Sequence, residues 1–510
     1  MTRRLESGSV GFNTAANSVS QFLAPALGLV LIPVYLHFVG LEGYGLVSLL
    51  AALLATTGVV TRGLGWSLQR EVAQAHATSE QEHLRRLVST FAVGYWAIGA
   101  TLGLLLLLLS GPISEVLDRG DVSRKTVLVC LMVMSLRIGT LFPTSVYQAV
   151  LLGTRRQVLL NVVTSVALLV GTAATVAGIA TTNSVVAFYV ADLVVSCATL
   201  VYLRRTVAVD LGSAHADDRR FLNPQELRAL VGLSSGLIWI QAVGILIRQL
   251  DKFVVGAVTS LASLGIYTAG IAGGRILSLA YNPYLTAVFP ESCALAKRDP
   301  AAMPGHVMNN SRLVALMSIG VGVPVALGAH ELLSVWTQNQ RIADAGAPVL
   351  VIYVIGTMFL ALTDCVNQAQ VAMGTSRCAV IVNTVAVLWL PPSLYILVRQ
   401  FGIQGAAITW LLYGLTAWMA HTFYTFHRLM PGHLLRYIKV IVIPATTILA
   451  LNTGYTIGVG AVVNGHDLLY LLIAAPGAIV SLAAAAVLSI GPRASVALLR
   501  RARMGRRISG

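Results

Sequence analysis

The sequence predicts an all-α polytopic membrane protein with about fourteen transmembrane helices. They are expected to form two six-helix lobes related by a pseudo-two-fold axis along the membrane normal, plus two extra C-terminal helices. Three observations carry this prediction. Of 510 residues, 56% are hydrophobic and only 11% are charged, against roughly 25% charged in a soluble domain. Apolar stretches long enough to cross a bilayer recur along the whole chain. Lys and Arg collect in alternate loops.

A crossing helix needs about 20 apolar residues. Fourteen segments qualify: 9–39, 44–70, 87–110, 125–152, 157–180, 184–204, 229–258, 262–289, 308–331, 346–373, 377–399, 403–427, 434–457 and 467–490. Pro25, Pro33, Pro143, Pro283, Pro324, Pro391 and Pro392 interrupt several of them. A bilayer tolerates such breaks where neighbouring groups satisfy the freed carbonyls. The start Met1-Thr2-Arg3-Arg4 looks like a signal-peptide n-region. The following segment is too long and too polar for a cleaved leader, so it is expected to be the first helix.

An even number of helices puts both termini on one side, here the cytoplasm. Outer loops then hold Arg119, Arg124, Lys125, Arg341 and Arg399. Five basic residues lie inside helices, and the other 25 of the 35 Lys and Arg fall on the inner side. That asymmetry follows the positive-inside rule and predicts a multi-pass protein of the bacterial cytoplasmic (inner) membrane. The net charge of +15 is dispersed over loops, with no basic soluble face carrying stacking aromatics, so nucleic acid is not an expected partner. Membrane lipids are, and the basic tail 492–510 is expected to touch anionic ones. The five cysteines show no CxxC spacing and read as small buried hydrophobes.

The polar stretch 208–228, with Asp217-Asp218-Arg219-Arg220, divides the chain. The expected organisation is an N-lobe 1–207, a cytoplasmic linker 208–228, a C-lobe 229–430, accessory helices 431–491 and a tail 492–510. An offset of about 220 residues relates the lobes. Gln21 meets Gln241, Leu41 and Gly45 meet Leu261 and Gly265, and Glu71 meets Glu291. Gly153-Thr154-Arg155-Arg156 meets Gly374-Thr375-Ser376-Arg377 with one extra residue. Repeats of six helices insert with the same orientation, which places the axis along the membrane normal.

Charges inside the bilayer cost about 2.5–3.5 kcal/mol each on insertion scales and tend to face a polar cavity or a partner. The basic ones are Arg62, Arg137, Arg248, Lys252 and Arg275; the acidic ones are Asp192, Asp251 and Asp364. Spacings of three and four place Arg248, Asp251 and Lys252 on one helical face, where an Arg248–Asp251 ion pair is the purely structural alternative. Asn13, Asn17 and Gln21 form a polar stripe on the first helix. The excess of basic groups suits an anionic substrate such as a pyrophosphate, because Arg grips phosphate with paired N–H donors. Candidate cavity residues are Arg62, Arg137, Arg248, Lys252, Arg275, Asn17, Gln21 and Gln241. Asp251 and Asp364 are the candidates for coupling to H+ or Na+. Asp192 reads as structural. There is no P-loop and no HExxH. The outer carboxylates Glu115, Asp118 and Asp121 sit among basic residues and read as a solvated rim, so no metal, cofactor or catalytic residue is expected.

The turn Gly40-Leu-Glu-Gly-Tyr-Gly45 after a first helix resembles the Wzx-type polysaccharide flippases of the multidrug/oligosaccharidyl-lipid/polysaccharide (MOP) exporter superfamily. So does Leu250-Asp251-Lys252-Phe-Val-Val-Gly256 leading to Leu264-Gly-Ile-Tyr267. The similarity covers about residues 8–430 and rests on pattern more than on a strict motif. It implies a V-shaped pair of lobes around a cationic cavity. It further implies alternating access, driven by an ion gradient or membrane potential, that moves an undecaprenyl-pyrophosphate-linked oligosaccharide to the periplasmic leaflet. Other polysaccharide assembly proteins would be partners. Lys252, in an Asp-Lys pair, carries over best as a substrate contact. The competing readings are a multidrug cation antiporter of the same superfamily, which would favour an acidic interior, and a membrane-embedded glycosyltransferase or polymerase, which would need a large outer loop. A non-transporting scaffold would gain little from the repeat or the buried charges.

Overall fold

The computed structural model describes the backbone of residues 10–78, 81–118, 120, 122–211, 243–462 and 467–490. Side chains are described for these except 10–22, 59–60, 62–64, 66–67, 77, 460–462 and 489–490. The expected linker beyond Leu211 and the basic tail 492–510 lie outside the described residues.

Every described segment that sequence marked as apolar is helical, and no strand occurs among the described residues. The helices are α1 (Val10–Ala77), α2 (Gln81–Val116), α3 (Arg124–Gly153), α4 (Gln157–Thr182), α5 (Val185–Asp210) and α6 (243–258). Then follow α7 (Leu261–Arg298), α8 (Met303–Leu327), α9 (Ala329–Thr337), α10 (Gln340–Ala372) and α11 (Arg377–Phe401). The last are α12 (Ile403–Tyr424), α13 (Leu434–Val462) and α14 (Asp467–Ile490). Among the described residues, ten spans are long and apolar enough to cross a membrane, which makes this a multi-pass membrane protein. Large apolar side chains face outward, Leu108 at 70% and Leu388 at 74% exposure. Only lipid can cover such a surface without cost.

Ser123, Ser184 and Asn339 each accept a backbone N–H in the first turn of α3, α5 and α10, satisfying donors that the helix leaves open. The interrupting prolines all lie inside continuous helices. Pro324 is nearest a true break: α8 ends three residues later, the Gly328 N–H bonds the Pro324 carbonyl, and the short α9 follows. Two expected helices are merged in α1, which is broken at Gly40 (φ 69°, ψ −175°). The arms 10–39 and 41–77 are about 45 and 55 Å long at 1.5 Å per residue. The expected turn is thus one residue, and Leu41–Gly45 already belongs to the second arm. Only glycine adopts that conformation without strain.

The chain divides into two compact units, Met1–Gly265 and Ile266–Gly510. In the first, α3 is the central helix and packs on α1, α2 and α5. Close approach is made by Gly99 and Gly103: a Cβ at either would lie 2.9 and 2.7 Å from the carbonyl oxygens of Gly139 and Ser135. This is small-residue packing of the kind that holds membrane helices together. Phe91, Tyr95 and Phe142 fill the core beside it. In the second unit α10 is central and packs on α8, α9 and α12. A Cβ at Gly414 of α12 would lie 2.5 Å from the Gly356 carbonyl oxygen of α10. Helices α13 and α14 pack on each other and on α8, with Val307, Val366, Phe426, Tyr437 and Ala485 in one shared core.

The neighbour order is the same in both units: α2–α3, α3–α5 and α4–α5 in one, α8–α10, α10–α12 and α11–α12 in the other. The cap after the central helix repeats bond for bond. Thr154, Arg155 and Arg156 N–H groups bond the carbonyls of Val150, Leu152 and Leu151. Met373, Gly374 and Thr375 bond Ala369, Val371 and Gln370. This corrects the sequence alignment by two positions, since Gly374 corresponds to Arg155, not Gly153. Both residues are left-handed, at φ 61° for Arg155 and 81° for Gly374.

Within the first unit, the paired turns Leu41–Gly45 and Leu261–Gly265 touch reciprocally. A Cβ at Gly45 would overlap the Leu261 carbonyl, and one at Gly265 would overlap the Leu41 carbonyl. Exchange of the same contact between equivalent residues is what a two-fold relation produces. We expect Gly45→Ala and Gly265→Ala each to destabilise the protein by about 1–3 kcal/mol through overpacking. Gly454→Ala, where nothing lies within 4 Å, should be neutral or stabilising. Unfolding midpoints in detergent would check all three.

Candidate substrate site

Arg137 stands near the middle of α3, where no water is available to solvate a guanidinium. Its Nε donates to Asp192 Oδ2 of α5 at 2.8 Å, and the two side chains are 17% and 35% exposed. The pair lines a cavity of about 350 Å³ within the first unit. Hydroxyls of Tyr35, Thr144, Thr175 and Ser196 and the amide of Gln148 share its wall. Arg137 was expected to present a charge to substrate; the structure shows that charge balanced by a carboxylate 55 residues away. The sequence signal was available: two ionic residues in separate apolar helices each need a partner.

Helix α6 carries the triplet expected on one face. Lys252 is buried, and its Nζ donates to Asp251 Oδ1 at 3.0 Å and back to the Arg248 carbonyl at 3.3 Å. Arg248 is exposed. The spacing therefore separates the two cations: one is folded against its own helix, the other is presented outward. Asn17, Gln21 and Arg62 lie on α1, but their side chains are outside those described, and Gln241 is outside the described residues altogether.

In the second unit, Arg275 is exposed on α7. Asn282 and Thr286 continue the same exposed strip, as a helical period of 3.6 requires. Neither Arg248 nor Arg275 has an ion-pair or hydrogen-bond partner among the described residues. Asp364 is half-buried on α10 and accepts a hydrogen bond from the Tyr281 hydroxyl at 3.2 Å. Beside it Tyr284 donates to Asn310 Oδ1 at 2.7 Å. Arg312 was missed. Counted with the inner side, it lies nine residues into α8, about 14 Å from the helix start. Its Nε is buried without a partner among the described residues. At the outer rim, Arg124 pairs with Glu115, in keeping with a solvated rim.

Among the described residues, the first unit presents the exposed cation Arg248 and the second Arg275, while Asp192, Asp251 and Asp364 are engaged by neighbours. Such cations can hold an oxyanion through charge-assisted hydrogen bonds. If the Arg137–Asp192 pair is balanced as described, Asp192→Asn should cost about 2–4 kcal/mol by leaving a guanidinium uncompensated, and Arg137→Met with Asp192→Leu should recover most of it. A double-mutant cycle on unfolding midpoints would check this.

The chain is similar to known proteins. Residues 10–294, more than half of the chain, match the family described as "Polysaccharide biosynthesis protein". A putative O-antigen transporter of Shigella flexneri is 24% identical over 383 residues, 73% of this chain and 87% of that protein. Among solved structures, lipid II flippase MurJ in an inward closed conformation has a TM-score of 0.73 at 13% identity, covering 92% of this chain and 98% of that one. An inward-facing multidrug resistance MATE family transporter of the MOP superfamily has a TM-score of 0.66 at 12% identity, covering 81% and 96%. Those structures establish the fold, and the family match covers both arms of α1, the Arg137–Asp192 pair and the exposed Arg248 and Arg275. The chain belongs to the polysaccharide biosynthesis protein family, with the fold of the MOP exporter superfamily.

Proposed function

We propose that the protein is a flippase that moves an undecaprenyl-pyrophosphate-linked oligosaccharide from the cytoplasmic to the periplasmic leaflet of the bacterial inner membrane, with both termini in the cytoplasm. The observation that carries this reading, beside the family, is the sign of the unpaired charge. Arg248 and Arg275 are exposed and basic, while Asp192, Asp251 and Asp364 each have a partner. A pyrophosphate is the complement of such cations. The fold is shared with multidrug transporters, so fold alone does not choose the cargo; an exporter of organic cations would need exposed carboxylates instead.

Transport rather than catalysis is supported by the loops. The outer connection between α2 and α3 runs only from Leu117 to Ser123, too short for the catalytic loop of a polymerase. In this reading alternating access is driven by an H+ or Na+ gradient. Asp364, which accepts a hydrogen bond from the Tyr281 hydroxyl at 3.2 Å, and Asp251, paired with Lys252, are the coupling candidates.

Purified protein in proteoliposomes should transfer a lipid-linked oligosaccharide between leaflets faster than empty vesicles do. Equal rates would refute the reading. Arg248→Ala and Arg275→Ala should each lower the rate about tenfold, the scale of one charge-assisted contact, without changing the unfolding midpoint by more than about 0.5 kcal/mol equivalent.

A further inference from the structure

We propose that the first unit holds the headgroup of a resident anionic phospholipid in a pocket at the inner ends of α1 to α5, with Arg155 as its phosphate contact. The pocket has a volume of about 450 Å³, within the range of small-molecule sites. Its floor is apolar, made by Leu84, Val150 and Leu159. Its rim carries His76, Arg155 and an Arg156–Asp210 pair.

The rim residues differ in what they have left to offer. Arg156 Nη1 donates to both oxygens of Asp210, at 2.7 and 2.6 Å. Arg155 is exposed, and its guanidinium has no hydrogen-bond or ion-pair partner among the described residues. It is thus a cation at the mouth of a cavity with its donors open. Helix α4 starts beside it. Arg156, at the N-cap, makes no side-chain cap bond, and Val158 and Leu159 of the first turn line the pocket. The positive end of that helix adds to the field of Arg155.

The backbone singles out the same residue. Arg155 is left-handed at φ 61°, and the equivalent cap of the second unit uses Gly374 at φ 81°. Both caps make the same three hydrogen bonds, so the turn itself requires no side chain at this position. An L-residue is disfavoured there. Arginine stands at a conformational disadvantage that glycine avoids in the other copy, and an outlier of this kind points to function.

Depth and chemistry select a lipid. Val162 of α4 is exposed apolar surface and lies seven residues beyond Arg155, about 10 Å along the helix. Arg155 therefore sits where headgroups begin, just outside the hydrocarbon. A phospholipid would place its phosphate on Arg155 and His76 and its glycerol and first methylenes on the apolar floor. A free phosphate would use only the rim. None of the residues lining the pocket is one assigned to the cargo, so the inference concerns a bilayer lipid and does not depend on what the cargo is.

The test uses the full chain in an uncharged detergent, with phosphatidylglycerol, phosphatidylcholine or inorganic phosphate added. Unfolding midpoint and bound lipid by native mass spectrometry are read together. Phosphatidylglycerol should raise the midpoint by several degrees and bind, and the other two should do neither. Arg155→Gly should match or exceed the wild-type midpoint without lipid, yet bind phosphatidylglycerol about tenfold more weakly and lose the shift. Arg155→Asn, which also tolerates the left-handed conformation, reads the same loss if the glycine variant does not fold. A full phosphatidylglycerol shift in these variants would overturn the proposal. So would equal stabilisation by phosphatidylcholine or by inorganic phosphate.

Discussion

The structure depends on one constraint: inside a bilayer no water is available to finish a hydrogen bond or screen a charge. The described spanning segments are therefore helical, and ionic side chains are organised by what can neutralise them. Arg137 finds Asp192 across two helices. Lys252 turns back onto Asp251 and its own helix. Asp364 takes a hydroxyl from Tyr281. Among the described residues, Arg248 and Arg275 are exposed without a neutralising partner, and that is informative, because an exposed cation within a spanning helix needs something outside the protein to meet it.

The same constraint explains how the helices are held. Lipid gives apolar side chains no reason to leave it, so helices associate through close backbone approach. Gly99 and Gly103 serve α2 and α3, and Gly356 and Gly414 serve α10 and α12. The central helix of each unit, α3 or α10, is the equivalent helix of the repeat, with the same order of neighbours. The two copies have diverged where packing does not require identity. The cap after α10 keeps glycine, and the cap after α3 carries an arginine at the mouth of a pocket.

The accessory pair follows the same rules without a partner in the first unit. α13 and α14 are joined by a buried hydrogen bond from Asn452 to Ser481 and share a core with α8, α10 and the segment after α12. They also bound an apolar cavity of about 380 Å³ lined by Val321, Pro324, Leu471 and Ile479. Apolar space at a lipid-facing position is the natural complement of hydrocarbon, which fits a protein whose environment and proposed cargo are both lipid.

Sequence by itself determined the architecture. Hydrophobic length, the placement of Lys and Arg and the 220-residue offset are one-dimensional properties, and membrane insertion reads them in one dimension. Gly40, Gly45 and Gly265 were legible for the same reason, since few positions in an apolar run demand glycine. The partners of the charges were not. Arg137 and Asp192 are 55 residues apart, and only the packing of α3 on α5 brings them together. Helical spacing put Arg248 and Lys252 on one face, but rotamers and neighbours buried one and exposed the other. Arg312 lies inside the expected span 308–331 but close to its start, so it was grouped with the inner-side charges; α8 begins five residues earlier and carries it deeper into the helix. The repeat register at the cap shifted by two because hydrogen bonds, not residue identity, define a cap. Tertiary structure decided which charges are spent on folding and which remain for a ligand, because neutralisation depends on distance in space.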